Sequence, residues 1–314
     1  MQLQTKISLA KQSKNQIDYH SNILLLGSCF SENIGSKLDY FKFKNSQNPF
    51  GILFHPKAIE SLVVNAIEEK VYKEEDIFFL NEQWHCFDAH SKLSRSTKED
   101  LLQILNNQIK VTKKHIKEAS HIVFTLGTAW MYRFVESSHV VANCHKVAQK
   151  EFTKELMSVQ DIIQSLQNID SVIKKVNSKA NIIFTVSPVR HLKDGFIENT
   201  QSKSHLIAAI HTVLNNNVTY FPSYEIMVDE LRDYRFYDED MVHPNKLAIN
   251  YIWNKFIEVW ISEASKKTMD DVAFVQKGMQ HKPFNPNSEA HQSFLKKIEI
   301  KKVWLQSNYA HIEF

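Results

Sequence analysis

The sequence predicts an α/β protein with a parallel sheet covered by helices on both faces. Three observations predict it. Four short, largely apolar runs, 23–26, 121–126, 181–186 and 218–221, read as strands buried on both sides. Stretches with helical spacing separate them, which is the pattern of strand–helix–strand units. Only 6 glycines occur in 314 residues, too few for a many-turned all-β sandwich or barrel.

Each element has a reason. Residues 1–20 are polar with weak alternation, which predicts an arm or an edge strand. The first strand ends at Gly27, and Ile34, Leu38 and Tyr40 continue as a helix for which Ser31 is a candidate N-cap. Pro49, Gly51 and Pro56 mark 45–56 as a loop. Ile59, Leu62, Val63 and Ile67 put one apolar face on a helix over 57–70. Short strands are expected at 78–80 and 84–89. Leu101, Leu102, Leu105 and Ile109 predict a helix over 96–119. After the second buried strand, 131–135 and 139–142 read as a small hairpin, and 153–176 as a long helix. Helices follow at 202–215, 223–232 and 246–264, with a loop at 234–245. From residue 265 the chain changes character. Helical stretches at about 268–280 and 288–306 flank His281-Lys282-Pro283-Phe284-Asn285-Pro286. The division expected is an α/β domain over 1–264 and a helical extension packed on it over 265–314. No internal repeat is visible.

Composition narrows the function. Hydrophobic residues make up 43 %, so a sizeable core is available. The net charge of +3 is mild, and no basic stripe interleaves with aromatics, so no nucleic-acid partner is expected. No apolar run reaches membrane-spanning length, and the first residues lack the apolar region of a signal peptide. Three widely spaced cysteines make no disulfide framework. A cytoplasmic location is expected, where a thiol nucleophile survives. His85-Cys86, His90 and Cys144-His145 lack the paired spacing of a zinc site, so neither a metal nor a cofactor is expected.

Chemistry concentrates in two stretches. Ser28 and Cys29 fall on a strand-to-helix turn at the carboxyl end of the first strand, the edge where open α/β sheets bind ligands. A thiol there meets the positive end of a helix, which favours thiolate. Far downstream, Asp240 and His243 are spaced i, i+3 before Pro244 and Asn245. One turn brings the carboxylate beside the ring. It fixes the tautomer and leaves the other nitrogen as a general base. Each stretch alone has a bland reading, a packed free cysteine or a solvated acidic loop. Together they point to nucleophilic catalysis.

These stretches carry a specific resemblance. Gly27-Ser28-Cys29-Phe30-Ser31 and the Asp240–His243 pair resemble the first and last blocks of the SGNH (GDSL-like) hydrolases. The first block is similar to the motif of the GSCFA-domain family, a bacterial branch of that superfamily, with Ser31 replacing the final alanine. Asn48-Pro49-Phe50-Gly51, Asp88-Ala89-His90-Ser91, Leu126-Gly127-Thr128, Asn143-Cys144-His145-Lys146, Ser187-Pro188, Ser202-Lys203 and His281-Lys282-Pro283-Phe284 also resemble it. The likeness covers about 20–290. It implies a three-layer α/β/α, flavodoxin-like fold and, through the superfamily, ester or acyl-transfer chemistry, but it does not carry a substrate. The partner expected is a small acyl ester or acylated glycan-like molecule. Laying the Gly-Asp-Ser-Leu block on this chain puts Cys29 at the nucleophile position and Ser28 beside it. Cys29 is favoured because a thiol needs less activation. The resemblance implies oxyanion donors at the Cys29 N–H and at Gly51. The superfamily's third donor, an asparagine, is missing from Gly127-Thr128-Ala129-Trp130. Thr128, Asn143 and His145 are candidate replacements, and His90 is expected to line the pocket as a polar donor. The reading is an acyl hydrolase or acyltransferase with a Cys29 (or Ser28)–His243–Asp240 triad. The competing readings are a non-catalytic ligand-binding module on the same fold and a scaffold acting through 265–314. The oligomeric state is not legible.

Overall fold

The structure is a computed structural model and describes residues 5–314. The chain runs β1 (Asn22–Gly27), α1 (Cys29–Tyr40), β2 (Lys44–Gln47), α2 (Pro56–Ile67), β3 (Phe78–Leu80), β4 (Gln83–His85) and α3 (Lys98–Glu118). It continues through β5 (His121–Leu126), β6 (Trp130–Phe134), β7 (Val140–Val141), β8 (Phe152–Leu156), α4 (Val159–Val176), β9 (Asn181–Val186) and α5 (Phe196–Val213). It ends with β10 (Val218–Tyr220), the single turn α6 (Ser223–Glu225), α7 (Lys246–Trp260), α8 (Glu263–Gln280) and α9 (Glu289–Asn308). No helix among the described residues is long and apolar enough to cross a membrane.

The central sheet has five parallel strands in the order β10-β9-β5-β1-β2. Side chains alternate across it with the period of a strand. Leu24, Leu26, Ile122, Phe124, Ile182 and Phe184 pack into one core with α2, α3, α4 and α5. Ile23, Leu25, Val123 and Ile183 pack into the other with α1, α7, α8 and α9. That is the three-layer α/β/α arrangement the apolar runs require: strands covered on both faces read as unbroken apolar sequence. The helices after residue 263 close the second core through Met269, Val272, Val275, Ile298 and Leu305.

Several boundaries differ from the sequence expectation. Residues 5–20 form no edge strand. They contribute one bridge, Ile17 to Ile261, and residues 1–4 lie outside the described residues. The stretch read as loop over 45–56 begins inside a strand, β2, which pairs with β1 as a sheet edge. The helix expected from 153 starts at Val159. Phe152–Leu156 instead pairs antiparallel with β6, and β6 also takes β7, so the small hairpin is a three-stranded sheet. Asp161 and Ser158 close a capping box that sets the true helix start. The short helix expected over 223–232 is one α turn followed by a π turn over Ile226–Glu230.

Candidate functional site

The sheet delivers the carboxyl ends of β1, β5 and β9 side by side. Gly27 ends β1 with φ of 133°, and a Cβ on it would stand 2.1 Å from the Thr125 carbonyl oxygen. Only glycine lets the chain turn so close to β5. Ser28, not Ser31, is the N-cap of α1. Its Oγ accepts from the Phe30 N–H, and the residue is buried. Ser31 sits inside the helix and donates to Thr125 Oγ1 at 2.8 Å. The Ser28 N–H donates to Thr125 O at 3.0 Å, which pins the turn over β5.

Cys29 is the first residue of α1 and is partly exposed, while the Ser28 hydroxyl is shut in. The expected drop in the Cys29 pKa is not found. Burial pushes the thiol up, and Glu32 in the same helix turn adds to it. The N–H groups of Cys29 and Phe30 and the charge of Lys203 pull the other way without winning.

Asp240 and His243 form the expected pair. Nδ1 of the ring lies 2.6 Å from Asp240 Oδ2. Asp240 Oδ1 also accepts the backbone N–H groups of Val242 and His243, at 2.8 and 2.9 Å. Those donors, His243 first, hold the Asp240 carboxyl at about 2. With a carboxylate facing Nδ1, that nitrogen carries the proton and Nε2 is left as acceptor. Asn245 caps α7 through the Leu247 and Ala248 N–H groups, so the pair stands at a helix entrance. The loop is seated by Arg190 N–H, which donates to Val242 O at 3.2 Å beyond the end of β9. Lys37 of α1 also meets Asn250 of α7. Cys29 and His243 therefore both stand where a helix of the same layer begins, on the carboxyl edge.

The other sequence-predicted residues are spoken for in different ways. The Gly51 N–H donates to Asn48 O at 2.7 Å. Gly51, with φ of 74°, packs on His90 Cβ. His90 is half-buried beside it, caps a short turn through Nδ1 and donates its N–H to Phe50 O. The Thr128 hydroxyl bonds Ser202 Oγ at 3.0 Å and accepts from Trp130 N–H. Asn143 Oδ1 accepts from the His145 N–H. His145 is 4 % exposed, packed on the rings of His85, Phe78 and Phe87, with Nε2 to Cys86 O. Among the described residues no group of three or more His, Cys, Asp or Glu is placed to hold a metal ion.

Three further groups at this edge were not singled out by residue pattern. Asn48 accepts the Gly27 N–H on Oδ1 at 2.9 Å, and its buried Nδ2 has no partner among the described residues. Lys203 is buried and donates to Gly127 O and Ser187 O. His191 has its Nε2 shut off without a partner among the described residues. Burial, with the nearby Lys203 and His243 charges, pulls its pKa down to about 3, so it is neutral near pH 7. The signal for Asn48 and Lys203 was present only as their place in the family-like stretches. For His191 it was its position after a buried strand.

Comparison with known proteins adds the following. Residues 22–256 match the GSCFA family, and residues 272–314 match a GSCFA domain protein's C-terminal domain. A search of curated proteins finds no match. Among solved structures the chain is similar to an acetyl esterase mutant with acetate ion, at 10 % identity and a TM-score of 0.36. That match covers 80 % of this chain and 99 % of the other. It is also similar to a carbohydrate esterase family 3 from Talaromyces cellulolyticus, at 9 % identity and a TM-score of 0.36, covering 81 % of this chain and 98 % of the other.

Proposed function

This chain belongs to the GSCFA family, and from that premise we propose that it is an SGNH-like acyl hydrolase or acyltransferase with Cys29 as nucleophile, His243 as general base and Asp240 as its orienting partner. The observation that carries the reading is the shared edge: a partly exposed thiol at the start of α1 and a carboxylate-held imidazole at the entrance to α7.

The chemistry follows from these groups. His243 Nε2 takes the Cys29 proton as Sγ attacks the carbonyl carbon of an acyl ester. The carbonyl electrons move to its oxygen. The Cys29 N–H, at a helix start, is one donor for that oxyanion. The orphaned Asn48 Nδ2, fixed beside the turn by the Gly27 N–H, is the second, since the Gly51 N–H and the Thr128 hydroxyl are engaged elsewhere. Collapse expels the alcohol, which takes the proton from His243. Water, or a second acceptor in a transferase, then releases the acyl group from sulfur by the same steps in reverse. The substrate is a small acyl ester or acylated glycan-like molecule, handled without nucleic acid or cofactor, in the cytoplasm. Residues 265–314 serve as a helical extension on the α/β domain.

A panel of short acyl esters and thioesters tests this. Turnover by wild type, its loss in Cys29→Ala and its survival in Ser28→Ala are expected. One observation favours a second reading: the Cys29 thiol is pushed up by burial. A ligand-binding module would show thermal stabilisation by acyl ligands and no Cys29-dependent turnover.

A further inference from the structure

Arg190 carries a charge that the proposed triad does not use. Every other arginine has an oxygen of its own on the guanidinium. Arg133, Arg232 and Arg235 pair with Glu155, Asp229 and Asp233, and Arg95 donates to the Lys92 and Ser94 carbonyls. Arg190 lies instead against two tyrosines. Its guanidinium carbon stands 4.3 Å from the centre of the Tyr237 ring and 5.4 Å from that of Tyr234. The two ring centres are 5.9 Å apart with the planes inclined at 46°, so the head rests against both. Tyr237 is buried, Tyr234 is exposed and Arg190 is half-buried. Among the described residues no carboxylate comes within ion-pair distance of it, and the tyrosine hydroxyls are its other polar partners. Rings hold a guanidinium by its face, and two hydroxyls engage only some of its N–H donors.

Backbone contacts put this head beside the proposed base. The Arg190 N–H donates to Val242 O at 3.2 Å. The Asp238 N–H donates to His243 O at 2.7 Å and the Asn245 N–H to Phe236 O at 2.9 Å, with Tyr237 bridged to Pro244 between them. The ring under Arg190 therefore belongs to the residue paired with the one directly after His243. On the other side, His191 packs on Gly127 just past β5, where an added Cβ would stand 3.2 Å from its Nε2. Residues 190 and 191 thus run from the sheet edge to the His243 loop. The acids of that loop are engaged elsewhere: Asp240 holds His243 Nδ1, and Asp238 Oδ1 accepts the Glu239 N–H. A methionine would pack on the same rings without the cost of desolvating a charge.

We propose that Arg190 is a substrate-binding residue of this site, and that the acyl ester taken here carries an oxyanion, a carboxylate or a phosphate, which the guanidinium receives. The planar fork sets parallel N–H groups against two oxygens of such a group. Seated on the His243 loop, it fixes the anionic end of the molecule and leaves the ester to reach the base. The inference rests on the proposed acyl chemistry for the reacting bond and adds the charge of the molecule that bears it.

The test measures binding without turnover, so the two readings fail separately. Full-length 15N-labelled Cys29→Ala protein is titrated by NMR with acetyl esters that differ in charge: acetoxyacetate, 2-acetoxyethyl phosphate and the neutral 2-methoxyethyl acetate. The better anionic ester should bind about tenfold or more tightly than the neutral one, and the order of the two anions identifies the oxyanion. Adding Arg190→Met should abolish the preference and leave the neutral ester's affinity unchanged. Arg190→Lys should restore only part of it, because an ammonium lacks the fork. Equal binding of charged and neutral esters, or no binding of either anion, overturns the proposal. So does a preference that survives in folded Arg190→Met, which would make Arg190 a strut for the loop. If Arg190→Met does not fold, Arg190→Lys decides, and a preference it fully retains overturns the proposal. Arg190-dependent binding beside a wild type that turns over no ester sinks the acyl chemistry alone. Turnover by a wild type indifferent to charge sinks this inference alone.

Discussion

Replacing His243 with alanine separates catalysis from folding, and the structure sets both magnitudes. The ring and the Asp240 carboxylate are each about half exposed, at 47 % and 50 %. An ion pair so open to water contributes at most about 1 kcal/mol. The loop does not depend on the ring. Asp240 Oδ1 still accepts the Val242 and 243 backbone N–H groups, Asp238 N–H still bonds the residue-243 carbonyl at 2.7 Å, and Asn245 still caps α7. For a chain of 314 residues, 1 kcal/mol moves the melting temperature by roughly 1–2 °C. Turnover should fall on the order of a hundredfold or more, because the base is gone while the thiol sits above its usual pKa. Asp240→Asn is the sharper companion. Asparagine keeps an oxygen for the two backbone N–H groups but sets an amide N–H against Nδ1. The ring then carries its proton on Nε2, the wrong tautomer for a base. The assay is initial rate on an acyl ester with melting temperature recorded on the same preparation. Equal rates in wild type and His243→Ala would refute the catalytic role. A drop of 5 °C or more in His243→Ala would refute the argument from exposure.

Gly27→Ala should cost about 3 kcal/mol or more, since its Cβ would press on the Thr125 carbonyl at 2.1 Å in a left-handed conformation; a urea melt within 1 kcal/mol of wild type would contradict this. Asn48→Ala should lower turnover on the order of a hundredfold, and should also destabilise by about 1–3 kcal/mol because the Gly27 N–H loses its acceptor. Timed labelling with peptide mapping should find Cys29 alkylated before Cys144, whose thiol is pushed up to about 11, and before Cys86, which is 3 % exposed. Asp88 raises the His139 pKa above 6.5, so that pair stabilises fully below pH 6.5 and loses its effect as pH rises through the raised value. His139→Ala should therefore destabilise by a few tenths of a kcal/mol more at pH 6 than at pH 8 in urea melts.

The strands legible in the sequence are those buried on both faces. β1, β5 and β9 are buried along almost their whole length and mostly apolar, and the sequence expectation matches each within a residue. β2 was not, because Lys44-Asn45-Ser46-Gln47 is an edge strand whose residues are all half-buried. A polar edge resists pairing with other chains, and it also erases the strand signal. β8 was absorbed into the following helix because the helical spacing of α4 runs back into Phe152–Leu156. The capping box at Ser158 and Asp161 is the stop signal that separates the two. At the site, the residues with a chemical name were legible and those with a tertiary role were not. Asp240 and His243 announce a pair by spacing. Asn48, Lys203 and His191 become notable only through burial, which leaves Asn48 Nδ2 and His191 Nε2 without a partner among the described residues and holds the Lys203 ammonium on two carbonyls, and burial is a property of the packed edge.

The same distinction explains the sign of the Cys29 shift. Sequence gives the helix start, and a helix start favours an anion. It does not give the depth of the turn, set by Gly27 pressing α1 down onto β5, or the direction of Glu32 one turn along. Those two outweigh the N-terminal amides and Lys203 together. The consequence is mechanistic. A thiol that rests protonated near neutrality cannot act as a preformed ion pair with imidazolium, as low-pKa cysteines do. Under the proposed triad it is deprotonated as it attacks, which is the logic of a serine triad carried on sulfur. That places the demand on a base with a fixed tautomer, and the Asp240 carboxylate, held ionised by two backbone N–H groups, supplies one.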